Sequence, residues 1–88
     1  MIRVLIVDDH PVAQKGFTEV LREYFDNVEI EAVRSGKQFV ENIKPRDYDL
    51  VLLAISLPDA NGLDILRDIK KKRSHVPVLV ISMYPEEL

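Results

Sequence analysis

Four short apolar runs, separated by stretches of helical periodicity, constrain this chain more than any other feature of its sequence. Residues 3–7 are continuous and rich in β-branched side chains, the pattern of a strand buried on both faces. Pro11 then suits the first turn of a helix, where its missing N–H costs nothing. Ala13, Phe17, Val20, Leu21 and Tyr24 follow at helical spacing as one apolar stripe. Val28, Ile30 and Ala32 alternate with Glu29 and Glu31, which predicts an edge strand with one wet face. Ser35 and Gln38 have capping-box spacing and open a short helix carrying Phe39, Val40 and Ile43, which Pro45 stops. Residues 50–55 form a second fully apolar run, expected to be central. Residues 58–62 read as a turn, with Gly62 serving the turn-to-helix backbone. Leu63, Ile65, Leu66 and Ile69 define a third helix. It ends in Lys70, Lys71, Lys72 and Arg73, cations favoured by the exposed carbonyls of a helix C-terminus rather than a nucleic-acid patch. Val78–Ile81 is expected to be a last buried strand, opened by Pro77. Pro85, Glu86 and Glu87 read as the first turn of another helix.

The order βαβαβαβ predicts an α/β fold: a doubly wound parallel sheet with helices on both faces. With 88 residues the chain makes one domain. A domain of this size buries roughly 60–65% of its unfolded surface, so its stability is modest. In open parallel sheets, ligands sit beyond the carboxyl ends of the strands. The positions that follow the strands are Asp8 and Asp9, then Ala54 and Ser56, then Ser82.

Adjacent carboxylates repel each other unless a cation relieves them. A hard cation such as Mg²⁺ takes oxygen ligands in octahedral geometry and keeps some waters. Asp8 and Asp9 offer such oxygens, a backbone carbonyl near Ser56 offers another, and Ser82 brings a hydroxyl to the same rim. Hydroxyls and a metal together hold phosphoryl oxygens well. The missing part is a nucleophile. A carboxylate at position 54 could accept a phosphoryl group; Ala54 cannot. Each residue also has an ordinary reading by itself. Asp-Asp before a helix is a solvated cap, Ala54 is core filler, and Ser82 is a turn serine. The functional case rests on three strand ends meeting at one rim.

Other classes of function find little support. The net charge of −3 argues against a general nucleic-acid surface. The absence of cysteine excludes disulfides, thiol catalysis and cysteine metal sites, and fits a reducing cytoplasm. The N-terminal run VLIV is too short for a signal segment or a membrane span. His10 and His75 lack partners at metal-ligand spacing and read as surface or loop residues. Gly16 costs the first helix some stability and leaves room for close packing against a neighbour.

The segments VLIVDDHP, DLVLLAISLPDANGLDIL and PVLVISM carry a resemblance. Over all 88 residues the chain resembles the receiver domain of bacterial two-component response regulators, and within them the NarL/FixJ (LuxR-type) subfamily. The resemblance implies a flavodoxin-like (CheY-like) sheet of order 2-1-3-4-5. It also implies a function: a sensor histidine kinase passes its phosphoryl group to an aspartate at the end of the third strand, and DNA binding changes in response. Ala54 falls on that acceptor. Asp8 would bind Mg²⁺ mainly through water and Asp9 directly. Ser56 would offer its carbonyl, and Ser82 would be the switch hydroxyl. Without a carboxylate at Ala54 the metal site is expected to be weakened. Such a module promotes its own phosphorylation but is not otherwise an enzyme.

Two departures follow from the same comparison. The acceptor is absent while the other site positions are intact, which favours an engineered block. The last strand and last two helices of a whole receiver, with its phosphate-binding lysine and switch aromatic, lie beyond the sequence, and a DNA-binding helix-turn-helix domain is expected only in a longer parent. With the fourth strand left at the edge, a dimer, a domain-swapped form or a weakly stable monomer is expected. The alternative is a pseudo-receiver that acts through phosphorylation-independent protein contacts. A flavodoxin-like ligand-binding or enzyme fragment ranks last. A cobalamin module wants D-x-H-x-x-G, and Ala13 replaces that glycine. A nucleotide site wants a Gly-rich first loop where this one is acidic.

Overall fold

A computed structural model describes residues 1–44, 47–72 and 75–81. Its elements run β1 (Ile2–Val7), α1 (Pro11–Tyr24), β2 (Val28–Val33), α2 (Gly36–Asn42), β3 (Leu50–Ala54), α3 (Gly62–Lys71) and β4 (Val78–Ile81). The four strands form one sheet of order β2-β1-β3-β4, parallel throughout. Pro45, Arg73, Ser82 and the turn expected at Pro85 to Glu87 lie outside the described residues, as do Met83 and Tyr84.

Strand alternation divides the core in two. Leu5, Val7, Val51 and Leu53 turn to one face and pack against Phe39 of α2 and Ile65 and Ile69 of α3. Val4, Ile6 and Leu52 turn to the other and meet Phe17 and Leu21 of α1. This is why β1 and β3 read as unbroken apolar runs: a central parallel strand has no wet face. At edge strand β2 the glutamates are exposed as their alternation requires, Ala32 is exposed with them, and only Val33 is buried.

Several expectations need correction. β4 is not a buried strand; its pattern is half-buried, with Leu79 56% exposed, because among the described residues β4 is the sheet's other edge. In α1 only part of the stripe reaches the sheet. Val20 on its flank is 51% exposed and Tyr24 at its end 79% exposed. Val40 and Leu63 are exposed, so α2 and α3 are anchored by Phe39, Ile65 and Ile69 instead. Gly16 makes no close approach, since a Cβ built there meets nothing within 4 Å.

The helix ends follow local chemistry. Ser35 Oγ accepts from the Gln38 N–H at 3.1 Å, as the capping spacing predicts. The reciprocal bond shifts by one residue, with Gln38 Oε1 accepting from the Arg34 N–H. Lys70 and Lys71 occupy the last turn of α3, and Lys72 pairs with Asp68 at 3.2 Å.

Candidate functional site

Val7 pairs with Leu53 and Ala54 with Ile81, so the carboxyl ends of β1, β3 and β4 reach the same rim of the sheet. Asp8 is the next residue after β1. Its N–H donates to the Val33 carbonyl at 3.0 Å, which holds the chain in line with β2. Its side chain is buried at the mouth of the sheet, the residue being 1% exposed.

A tight turn then folds the chain back. Asp8 Oδ1 accepts from the His10 N–H at 2.9 Å, and His10 Nδ1 lies 2.7 Å from the same oxygen and 3.2 Å from Asp9 Oδ1. The ligand atoms of Asp8, Asp9 and His10 all fall within 4.8 Å of one another. His10 therefore does have partners, against the expectation for it. A turn brings residues two apart together, which helical spacing would not. The hydrogen bond to Asp8, then the charges of Asp9 and Asp8, raise the His10 pKa above its ordinary value. Gln14, one turn into α1, donates its side-chain amide to the Asp8 carbonyl.

Asp8 Oδ2 and Asp9 Oδ1 are buried without a hydrogen-bond partner, although the latter lies within ion-pair reach of His10. Buried carboxylate oxygens are costly to leave unpaired. Two of them side by side form an oxygen donor set suited to a hard divalent cation. Asp8 and Asp9 thus fit Mg²⁺, with His10 better placed as a competing cation than as a ligand for that metal.

Ala54 closes β3 at 2% exposure, packed in the cluster of Val7, Leu53 and Ile65. Its methyl carries no chemistry. The loop beyond it is tightly closed. The Ile55 N–H donates to the Ile81 carbonyl at 3.0 Å, and Ser56 bridges Asn61. The Leu57 N–H reaches the Ala60 carbonyl at 3.1 Å, and the Gly62 N–H reaches the Ile55 carbonyl at 2.6 Å. Only glycine fits at position 62, because a Cβ there would lie 2.1 Å from the Ala54 carbonyl oxygen. Gly62 thus serves a close approach of chains as well as the entry to α3. Ser56 is exposed on this loop two residues after Ala54, and Ser82 lies outside the described residues.

One residue escaped the sequence reading altogether. Asp59 accepts from the Gly36 and Lys37 N–H groups at 2.8 and 2.9 Å, and these bonds lower its pKa. No local pattern signals it, since its partners lie more than 20 residues away.

Comparison with known proteins gives a consistent picture. The family model described as response regulator receiver domain matches residues 4–87. The aerobic respiration control sensor protein ArcB of Escherichia coli (strain K12) is 40% identical over 81 residues, covering 90% of this chain and 10% of ArcB. The nitrate/nitrite response regulator protein NarL of the same strain is 29% identical over 84 residues, covering 96% of this chain and 39% of NarL. This chain is thus similar to a minor part of each. A chain in the crystal structure of histidine kinase ThkA in complex with response regulator protein TrrA superposes with a TM-score of 0.81 at 30% identity, covering 98% of this chain and 72% of that one.

Proposed function

The chain belongs to the response regulator receiver family, and from that premise we propose that it is a receiver module whose phosphoryl acceptance is blocked at Ala54. The observation that carries this reading is the pair of buried oxygens without a hydrogen-bond partner, Asp8 Oδ2 and Asp9 Oδ1, at the rim where β3 ends in a methyl group. Asp8, Asp9 and the Ser56 carbonyl would hold Mg²⁺, which supplies charge neutralisation for phosphoryl oxygens. The buried Asp8 is oriented by its backbone bond to Val33 and by the turn at His10. Ser82 would contact the phosphoryl group. At position 54 the methyl of Ala54 stands where the acceptor carboxylate would be.

The partner in this reading is a sensor histidine kinase, the class of protein with which the response regulator TrrA is crystallised. The parent would be a cytoplasmic transcription factor that binds DNA through another domain, a reading that rests on the DDHP segment and the resemblance to NarL. No helix among the described residues is long and apolar enough to cross a membrane.

Burial of Ala54 in apolar surroundings favours a second reading, a pseudo-receiver that works by protein contact alone. Intact mass after incubation with Mg²⁺ and acetyl phosphate separates the two. The chain itself should not gain mass, and Ala54→Asp should gain one phosphoryl group. A folded Ala54→Asp that stays unmodified, here and in the full-length parent, would favour the pseudo-receiver.

A further inference from the structure

We propose that Asp59 is a positioning residue for the cation site, holding the loop that carries Ser56 against the start of α2. This rests on the receiver reading, and specifically on the Ser56 carbonyl as a metal ligand.

The loop after β3 spans only seven residues before α3 begins at Gly62. Its inner part is fixed by the Ile55 bond to β4 and by the Ser56–Asn61 bridge. Its outer tip would otherwise stand in solvent. Asp59 instead turns both carboxylate oxygens onto the first two N–H groups of α2, Gly36 and Lys37. Ser35 satisfies the next donor, Gln38. The start of α2 is thus capped jointly, one donor by its own N-cap residue and two by a loop 22 and 23 residues downstream.

Contact at this junction is close. A Cβ at Gly36 would lie 2.7 Å from the Ala60 Cβ and 3.3 Å from Asp59 Oδ1. Glycine at position 36 therefore lets the loop tip seat against the helix. Charge-assisted bonds to backbone N–H groups are the strong kind, and α2 has seven residues, too few to hold itself without tertiary support. Asp59 consequently orders two things at once, the helix start and the loop. Ser56 lies three residues before it, on the same short closed loop. Its carbonyl direction depends on the loop staying shut. An outer group that orients a metal ligand changes metal affinity without touching the metal.

The test is Mg²⁺ affinity by calorimetry on the chain, with Asp59→Ala, Asp59→Asn and Asp64→Asn. Asp64 is an exposed acid of α3 whose carboxylate pairs with Arg67, and it controls for lost charge. Asp59→Ala should weaken Mg²⁺ about tenfold. Asp59→Asn keeps one acceptor and should recover part of that loss, and Asp64→Asn should change little. In the unsubstituted chain, Mg²⁺ should slow hydrogen exchange at the Gly36 and Lys37 amides, because coupling between sites is reciprocal. That measurement holds even if Asp59→Ala fails to fold. Equal affinity in Asp59→Ala and the parent, or exchange at Gly36 and Lys37 indifferent to Mg²⁺, overturns the proposal and leaves the receiver reading standing. A parent chain that binds no Mg²⁺ overturns the metal site and this inference together.

Discussion

Asp8 Oδ1 and His10 Nδ1 lie 2.7 Å apart at the carboxyl end of β1, with Asp9 Oδ1 only 3.2 Å from the same ring nitrogen. The imidazolium is therefore favoured in the folded chain, and the pKa of His10 stands above its ordinary 6.5. A raised folded pKa stabilises the fold most fully below the unfolded value, and that contribution fades as pH rises through the folded one. Urea midpoints across this window should show the parent losing stability relative to His10→Gln as pH rises. Added Mg²⁺ should draw the His10 titration, followed by NMR, back toward its ordinary value, since two cations compete for the same oxygens. Titration unmoved by saturating Mg²⁺ would place the metal elsewhere.

A carboxylate at position 54 joins Asp8 and Asp9 at a buried rim. Without metal, Ala54→Asp should lose about 3 kcal/mol for a poorly solvated charge. Mg²⁺ at about a hundred times its Kd should return about 2.7 kcal/mol. Chemical denaturation with and without Mg²⁺ reads both effects, and the parent should respond to Mg²⁺ less than the variant.

Two glycines should answer alanine in opposite ways. Gly16→Ala meets open space inside α1 and should stabilise by about 0.5–1 kcal/mol. Gly62→Ala drives a methyl into the Ala54 carbonyl and should cost about 3 kcal/mol, the upper end of overpacking penalties. Thermal melts of the two variants settle the signs.

Phe39 is fully buried between α2 and the sheet, whereas its neighbour Val40 is 58% exposed. Phe39→Ala should cost about 3–5 kcal/mol, a large part of the stability of so small a chain. Val40→Ala should change stability by no more than about 0.5 kcal/mol. Equal effects in denaturant unfolding would mean that α2 is seated differently.

Much of this protein is written locally. The period-two and unbroken apolar runs determine the strands, because a strand's alternation depends on its own side chains. Chain order then determines the sheet, since right-handed crossovers leave few ways to assemble βαβαβαβ. The placement of Asp8, Asp9 and Ala54 at one rim was legible for the same reason. Asp8 and Asp9 follow β1 and Ala54 closes β3, and strand ends in such sheets share one rim.

The tertiary structure decided what depends on distant partners. Nothing local says that Asp59 caps a helix start more than 20 residues before it, or that Gly36 makes room for Ala60. The pairing of His10 with both acids needed the actual turn, because spacing rules for regular elements do not reach across it. The exposure of β4 and of the flank of α1 was set by which neighbours each element has. Sequence carries periodicity and hence which side of an element is apolar. How much of that side is covered, and which polar groups find each other, is fixed only when the elements pack.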